Sequence, residues 1–182
     1  MRKGLAIALF AGALLCNACR PGASFTPPDD PMVGKPAPAF SFHSVHKRTF
    51  PSTNFLGKTT VMIFIRPGQP EAPTLLREME KLHKDPALTV VEFVALSPEE
   101  DPLTEPYWIG LENSLPIALD FSGAAAKYGA GSLPMVAVSD YKGMLRLRLD
   151  GYMGKEFWPR FMATRKLIEK VERERVEPTA AR

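Results

Sequence analysis

Residues 59–84 read TTVMIFIRPGQPEAPTLLREMEKLHK, and three different physical signals follow one another along them. The first seven, TTVMIFI (59–65), are β-branched or apolar without a break, the pattern of a central strand buried on both faces. Residues 66–71, RPGQPE, hold Pro67, Gly68 and Pro70, which interrupt regular structure. From Ala72 to Lys84, Leu75, Met79 and Leu82 fall at offsets 0, 4 and 7, one face of an α-helix. A buried strand running through a short loop into an amphipathic helix predicts an α/β architecture around a sheet covered on both sides.

The flanking sequence extends that reading. Upstream, AFSFHSVHKRTF (39–50) alternates apolar and polar residues around a polar turn, as a short hairpin does. Downstream, LTVVEFVAL (88–96) predicts a second buried strand. A short helix is expected over 102–113, a minor strand over 117–119 and another short helix over 123–128. Two strands, 135–139 and 144–150, follow, joined by a turn at Tyr141-Lys142-Gly143. The closing helix carries Phe157, Phe161, Ile168 and Val171 along one side, with Pro159 in its first turn, where the missing N–H costs little. Beyond Glu174 the tail RVEPTAAR is expected to fray. The order predicts one α/β domain over 33–176, a mixed central sheet flanked by helices, with a frayed tail over 177–182.

The chain has 182 residues, 45% hydrophobic and 24% charged, which fits one globular domain with extensions and excludes a fibrous or disordered chain. At its start, Arg2 and Lys3 precede the apolar run GLAIALFAGALL (4–15), followed by Asn17 and Ala18. This is a secretory signal pattern, expected over 1–18, and is too short for the ~20 apolar residues of a membrane span. The ending Cys16-Asn17-Ala18-Cys19 resembles a bacterial lipoprotein signal, with Cys16 where leucine is usual. That resemblance implies lipidation of Cys19, a membrane anchor and a periplasm-facing envelope location. The alternative is ordinary cleavage after Ala18 and a soluble periplasmic or secreted protein. Residues 20–32, RPGASFTPPDDPM, read with Cys19 as a flexible tether. Loss of Arg2 and Lys3 takes the net charge from +3 to +1, which argues against nucleic acid as a partner.

Several fragments resemble redoxin domains, the alkyl hydroperoxide reductase/thiol-specific antioxidant group of the thioredoxin-like superfamily. Val33-Gly34-Lys35-Pro36-Ala37-Pro38-Ala39-Phe40 resembles their opening. Leu56-Gly57-Lys58 and TTVMIFI resemble the approach to their active site. Asp120, AAAKYG (124–129) and Leu133-Pro134 resemble the stretch ending in the cis-proline opposite that site. Asp140, Gly143 and Gly151-Tyr152 resemble the terminal hairpin. The resemblance spans roughly residues 33–173 and implies a thioredoxin-like fold.

At the active position the chain departs from the pattern. Membrane-anchored thioredoxin-like proteins of the cytochrome-maturation type read F-W-A-x-W-C-x-x-C after the central strand. Counted from Phe64 without a gap, Gln69 and Ala72 stand where the two cysteines would be. Peroxiredoxins carry a proline, which Pro67 matches, before a threonine and a reactive cysteine. Copper-delivery proteins of the SCO type carry C-P-x-x-x-C-P, to which Gln69-Pro70-Glu71-Ala72-Pro73-Thr74-Leu75 is only faintly similar. Cys16 and Cys19 are the sole cysteines of the chain. Thiol–disulfide exchange needs a thiolate, which a helix N-terminus helps to form, and a glutamine amide supplies none. No catalytic residue is therefore expected, and Gln69 and Ala72 mark degenerate positions.

Other constellations carry less. His43 and His46 form H-x-x-H, but nothing nearby completes a metal set, and a solvated hairpin is the expectation; no metal or other cofactor is expected. His83 has no evident partner. Glu71 lies where a helix N-terminus favours a carboxylate, so a capping role is expected. Arg146 and Arg148 alternate with leucines on a late strand and read as edge gatekeepers. There is no Gly-rich phosphate loop.

Leu133 and Pro134 beside Gln69, Pro70 and Glu71 would form a groove for an extended peptide, as the resemblance implies. Three function classes follow: a non-catalytic thioredoxin-like lipoprotein that binds a protein partner, a redoxin-family oxidoreductase or antioxidant by resemblance alone, or a structural envelope component. The first is preferred.

Overall fold

A computed structural model of the chain describes residues 30–44, 49–66, 68–97, 115, 117–119, 123–151 and 157–177. Its strands are β1 (Ser41–Ser44), β2 (Thr49–Pro51), β3 (Thr60–Phe64), β4 (Glu92–Ser97), β5 (Ile117–Leu119), β6 (Met135–Ser139) and β7 (Leu145–Asp150). The helices are α1 (Ala72–His83), α2 (Ala124–Lys127) and α3 (Phe157–Val176). The strands form one sheet in the order β2-β1-β5-β4-β3-β6-β7. β3 runs parallel to β4 and antiparallel to β6, so the sheet is mixed, as the sequence predicts.

The unbroken apolarity of TTVMIFI comes from helices and loops covering both faces of β3. Val61, Ile63 and Ile65 pack with Leu75, Leu76 and Met79 of α1 and with Phe157, Phe161 and Ile168 of α3. Met62 and Phe64 point the other way, into a cluster with Phe40, Phe42 and Tyr128. Rings in that second cluster sit 5.6 Å apart for Phe40–Phe42 and for Phe64–Tyr128.

Three boundaries differ from expectation. The strand predicted over 88–96 begins at Glu92, because the Asp85 carboxylate accepts a hydrogen bond from Ala87 N at 2.9 Å and starts a 3-10 turn over Pro86–Leu88. Leu88 fills the core from that turn, and apolarity alone does not separate the two geometries. Helix α3 runs to Val176 rather than fraying after Glu174. Near its end, Glu172 is buried, accepting from the Thr59 hydroxyl and, at 2.8 Å, from Arg175 Nε. Finally, the tether reading fails at its last residues. Met32 packs against the second cluster, and the Asp30 side chain is only 8% exposed, bound to Arg148 Nε at 2.6 Å. The signal segment, Cys16, Cys19, His46, Pro67, Asp120, Tyr152 and the helix expected over 102–113 lie outside the described residues.

The gatekeeper reading of Arg146 and Arg148 is corrected by a β-bulge. Val138 pairs with Leu147 but Ser139 with Leu145, so Arg146 is the extra residue. Alternation therefore breaks: Leu145 joins the aromatic cluster, whereas Leu147 and Leu149 join the helix-covered one. Arg146 reaches Asp140 and Glu174, each at 3.0 Å. Arg148 points to the other face and binds Asp30, Asp150 and the carbonyl oxygens of Tyr128 and Gly129. The edge is protected differently. Gly34 N donates to Leu145 O at 2.7 Å, Leu145 N to Lys35 O at 2.9 Å, and Ala37 N to Gly143 O at 2.8 Å. Residues 34–37 thus cover the start of β7 as a strap.

Burial disfavours the Asp30 carboxylate, but the Met32 amide and the Arg148 guanidinium outweigh it and hold the group below its ordinary value of 3.8. A depressed carboxylate contributes stability above its unfolded pKa and loses it as pH falls through the folded one. Asp30→Asn should therefore lower the unfolding free energy read from urea titration near neutral pH by about 1–3 kcal/mol. The gap to the unsubstituted protein should narrow below about pH 4. A gap that is constant across this range would show that the charge on Asp30 contributes nothing.

Candidate functional site

The loop between β3 and α1 is organised by its own backbone. Ile65 N continues the ladder to Leu96 O at 2.9 Å. Arg66 N then donates to the Gln69 side-chain oxygen at 2.7 Å, so the amide is folded back onto its own turn. Ala72 N donates to Gln69 O at 3.1 Å and Leu75 N to Glu71 O at 2.9 Å, which opens the helix. Ala72 is fully buried in the helix-covered core. Glu71 occupies the position before α1, but its side chain makes no capping bond, contrary to expectation. Its own backbone is already helical, whereas a side-chain cap requires extended backbone there.

Across from this loop the Leu133–Pro134 peptide bond is cis. Phe64 pairs with Met135, so the residues that leave β3 lie beside the residues that enter β6. A cleft of about 470 Å³ opens here, lined by Arg66, Leu133, Ser132, Gly131, Ala126 and Gly123 among others. Of the five residues expected to form a groove, Leu133 lines this cleft. Gln69, Pro70, Glu71 and Pro134 do not: the Gln69 amide is turned onto Arg66 N, and Pro134 is buried. Sequence reasoning missed Arg66, Gly131 and Ser132. Arg66 was legible as the first charged residue after the buried strand, but the other two are placed by a contact far away in sequence. Asp150 accepts from Gly131 N at 3.4 Å and Ser132 N at 3.2 Å, and Arg148 binds the same carboxylate.

Among the described residues no histidine or carboxylate lines the cleft, so the Ser132 hydroxyl meets no base there. The wall offers one cationic side chain, backbone and small apolar surface. His83, the last residue of α1, packs edge-on against Phe93 at 5.7 Å.

Comparison with protein-family models and with curated proteins gave no match. Solved structures do match. The fold is thioredoxin-like. A putative thiol:disulfide interchange protein DsbE from Chlorobium tepidum aligns with 14% identity and a TM-score of 0.62, covering 73% of this chain and 97% of that one. The exposed lipoprotein thioredoxin Etrx1 of Streptococcus pneumoniae aligns with 23% identity and a TM-score of 0.57, covering 71% and 99%. A secreted Mycobacterium tuberculosis disulfide oxidoreductase homologous to E. coli DsbE gives 15% and 0.55, covering 68% and 95%. The fold that the resemblance implies is thus the one found. The loop between β3 and α1 of this chain contains no cysteine.

The bond from Ala72 N to Gln69 O is an i-to-i+3 turn contact, which brings the two Cα atoms within about 7 Å. That is disulfide range. Gln69→Cys with Ala72→Cys, on a background lacking Cys16 and Cys19, should form an intramolecular disulfide under mild oxidation, read by mass spectrometry of unreduced peptides. Absence of that bond in a folded protein would show that the loop does not superpose on a C-x-x-C turn.

Proposed function

We propose that the protein is a non-catalytic thioredoxin-like binding module of the bacterial envelope, lipid-anchored through Cys19 and facing the periplasm. Its cleft between Arg66 and Leu133 takes an extended segment of a partner protein. The observation that carries this reading is a formed cleft between Arg66 and Leu133, in a chain with no cysteine after residue 19. The frame that would present a substrate polypeptide is there, and the sulfur that would react with it is not. Fold alone does not confer the oxidoreductase activity named for its structural neighbours. Two of those neighbours are described as exposed or secreted, which supports the envelope location. Among the described residues no helix is long and apolar enough to cross a membrane. More than one acyl chain is needed for stable anchoring.

The test places a photoreactive amino acid at Leu133 or Ala126 in the membrane-attached protein, with Val90 as a distant control. A discrete protein adduct is expected from the two cleft positions only, with Cys19 acylated in the mature chain. Insulin reduction and peroxide consumption should stay at the buffer rate. Adducts equally strong from Val90 would refute cleft binding, and turnover above buffer would restore the oxidoreductase reading.

A further inference from the structure

Three parts of the chain meet at Gly129. This residue follows α2 with φ +68°, and a Cβ built on it would lie 3.2 Å from Arg148 Nη1 and 3.4 Å from Met32 Sδ. Arg148 Nη1 donates to Gly129 O at 2.6 Å and to Tyr128 O at 3.3 Å, carbonyls just past the helix end. Arg148 Nε donates to Asp30 at 2.6 Å. Asp150, 3.4 Å from Nη1, accepts from the amides of Gly131 and Ser132. Ala126, Ala130, Gly131, Ser132 and Leu133 of this stretch line the cleft. One guanidinium therefore fastens both the segment before β1 and the cleft wall.

The segment before β1 has two halves held in different ways. Residues 34–37 are bound through backbone hydrogen bonds to Gly143 and Leu145, which need no side chain. Residues 30–33 are bound through side chains, the Asp30 carboxylate on Arg148 and Met32 against the aromatic cluster. Asp30 Oδ1 also accepts from Met32 N at 2.8 Å, and Val33 N donates to Asp30 O at 3.0 Å, so this half is a single turn. Gly34 joins the halves with φ +83° and nothing within 4 Å of its Cβ position. A bond from Lys35 N to Met32 O, at 3.2 Å, crosses the junction. Glycine at such a point can absorb a large backbone rotation. A segment held by so few contacts opens at a free energy well below that of global unfolding.

We infer that residues 30–33 are a latch on the cleft: docked on Arg148 they fix the wall over 128–133, and swung out at Gly34 they release that wall and the bound partner with it. The release of a partner rests on the binding reading above; the hold on the wall does not. With Asp30 withdrawn, the guanidinium loses its closer carboxylate and keeps Asp150. It then turns toward Asp150 and away from the carbonyls of Tyr128 and Gly129, and Asp150 is drawn off the amides of Gly131 and Ser132. Residues 1–29 precede the latch, so an anchor at Cys19 reaches the domain through Asp30. Tension on the tether and occupancy of the cleft are thereby coupled. The coupling is reciprocal, and a partner seated in the cleft holds the latch shut.

The test is amide hydrogen exchange, read by mass spectrometry on the purified full chain in detergent and on its Asp30→Asn variant. Exchange over 128–132 is expected to quicken about three- to tenfold, in step with 30–33, while 34–37 and the β3 residues 60–64 stay unchanged. Arg148→Lys keeps the charge but not the planar fork that reaches several acceptors at once, and should give the same pattern. In the membrane-attached protein, the photoadduct yield from Leu133 should fall by a similar factor in both variants. Faster exchange confined to 30–33, or spread equally over 60–64, would overturn the latch. So would an unchanged adduct yield from a loosened wall. Exchange is read without a partner, so the two readings fail separately: no Leu133 adduct from the unsubstituted protein strikes cleft binding, and exchange alone then decides the latch.

Discussion

A guanidinium held by Asp30 at 2.6 Å and by the Gly129 carbonyl at 2.6 Å joins parts of the chain that share no regular structure. Through Arg148 the strap before β1 meets the end of α2, and through Asp150 it meets the loop that carries Leu133 and Pro134. Each contact is charge-assisted; the pair with Asp30 is part-buried, whereas the bonds to Gly129 O and from Ser132 N are exposed. The wall of the cleft is therefore positioned by a side chain on the far edge of the sheet. What puts that side chain there is a bulge, since one extra residue in β7 sends Arg146 toward α3 and Arg148 toward the strap.

The central elements were legible because their signals are local. TTVMIFI is buried on both faces, and Leu75, Met79 and Leu82 line one side of α1, as periodicity predicts. The hairpin, the last two strands and the closing helix also lie near their expected positions. What was not legible depends on contacts between distant residues. The motif LRLRLD promises a regular alternation, and only its partner strand reveals the bulge. The apolar run before Glu92 does not announce that Asp85 would wind its beginning into a 3-10 turn. Likewise Asp30 and Met32 sit in a proline-rich, acidic stretch whose composition reads as tether, and their partner is a strand more than a hundred residues later.

The candidate site was legible in outline and not in its walls. The absent cysteines and Leu133-Pro134 could be read directly from the letters. Gln69, by contrast, spends its amide on the Arg66 backbone and leaves the cleft to Arg66, Ser132 and Gly131. The Gln69 side chain thus forms a turn bond that orders the loop between β3 and α1.

The span between Asp30 and Arg148, 118 positions along the chain, also orders events during synthesis. A contact so distant in sequence must close a long loop, so it follows the formation of local structure. A ribosome releases the strap long before its partner, so the strap has nothing to dock on until β7 has emerged. Asp30 therefore waits for its partner through most of synthesis, and α3, whose Glu174 binds Arg146, is made later still.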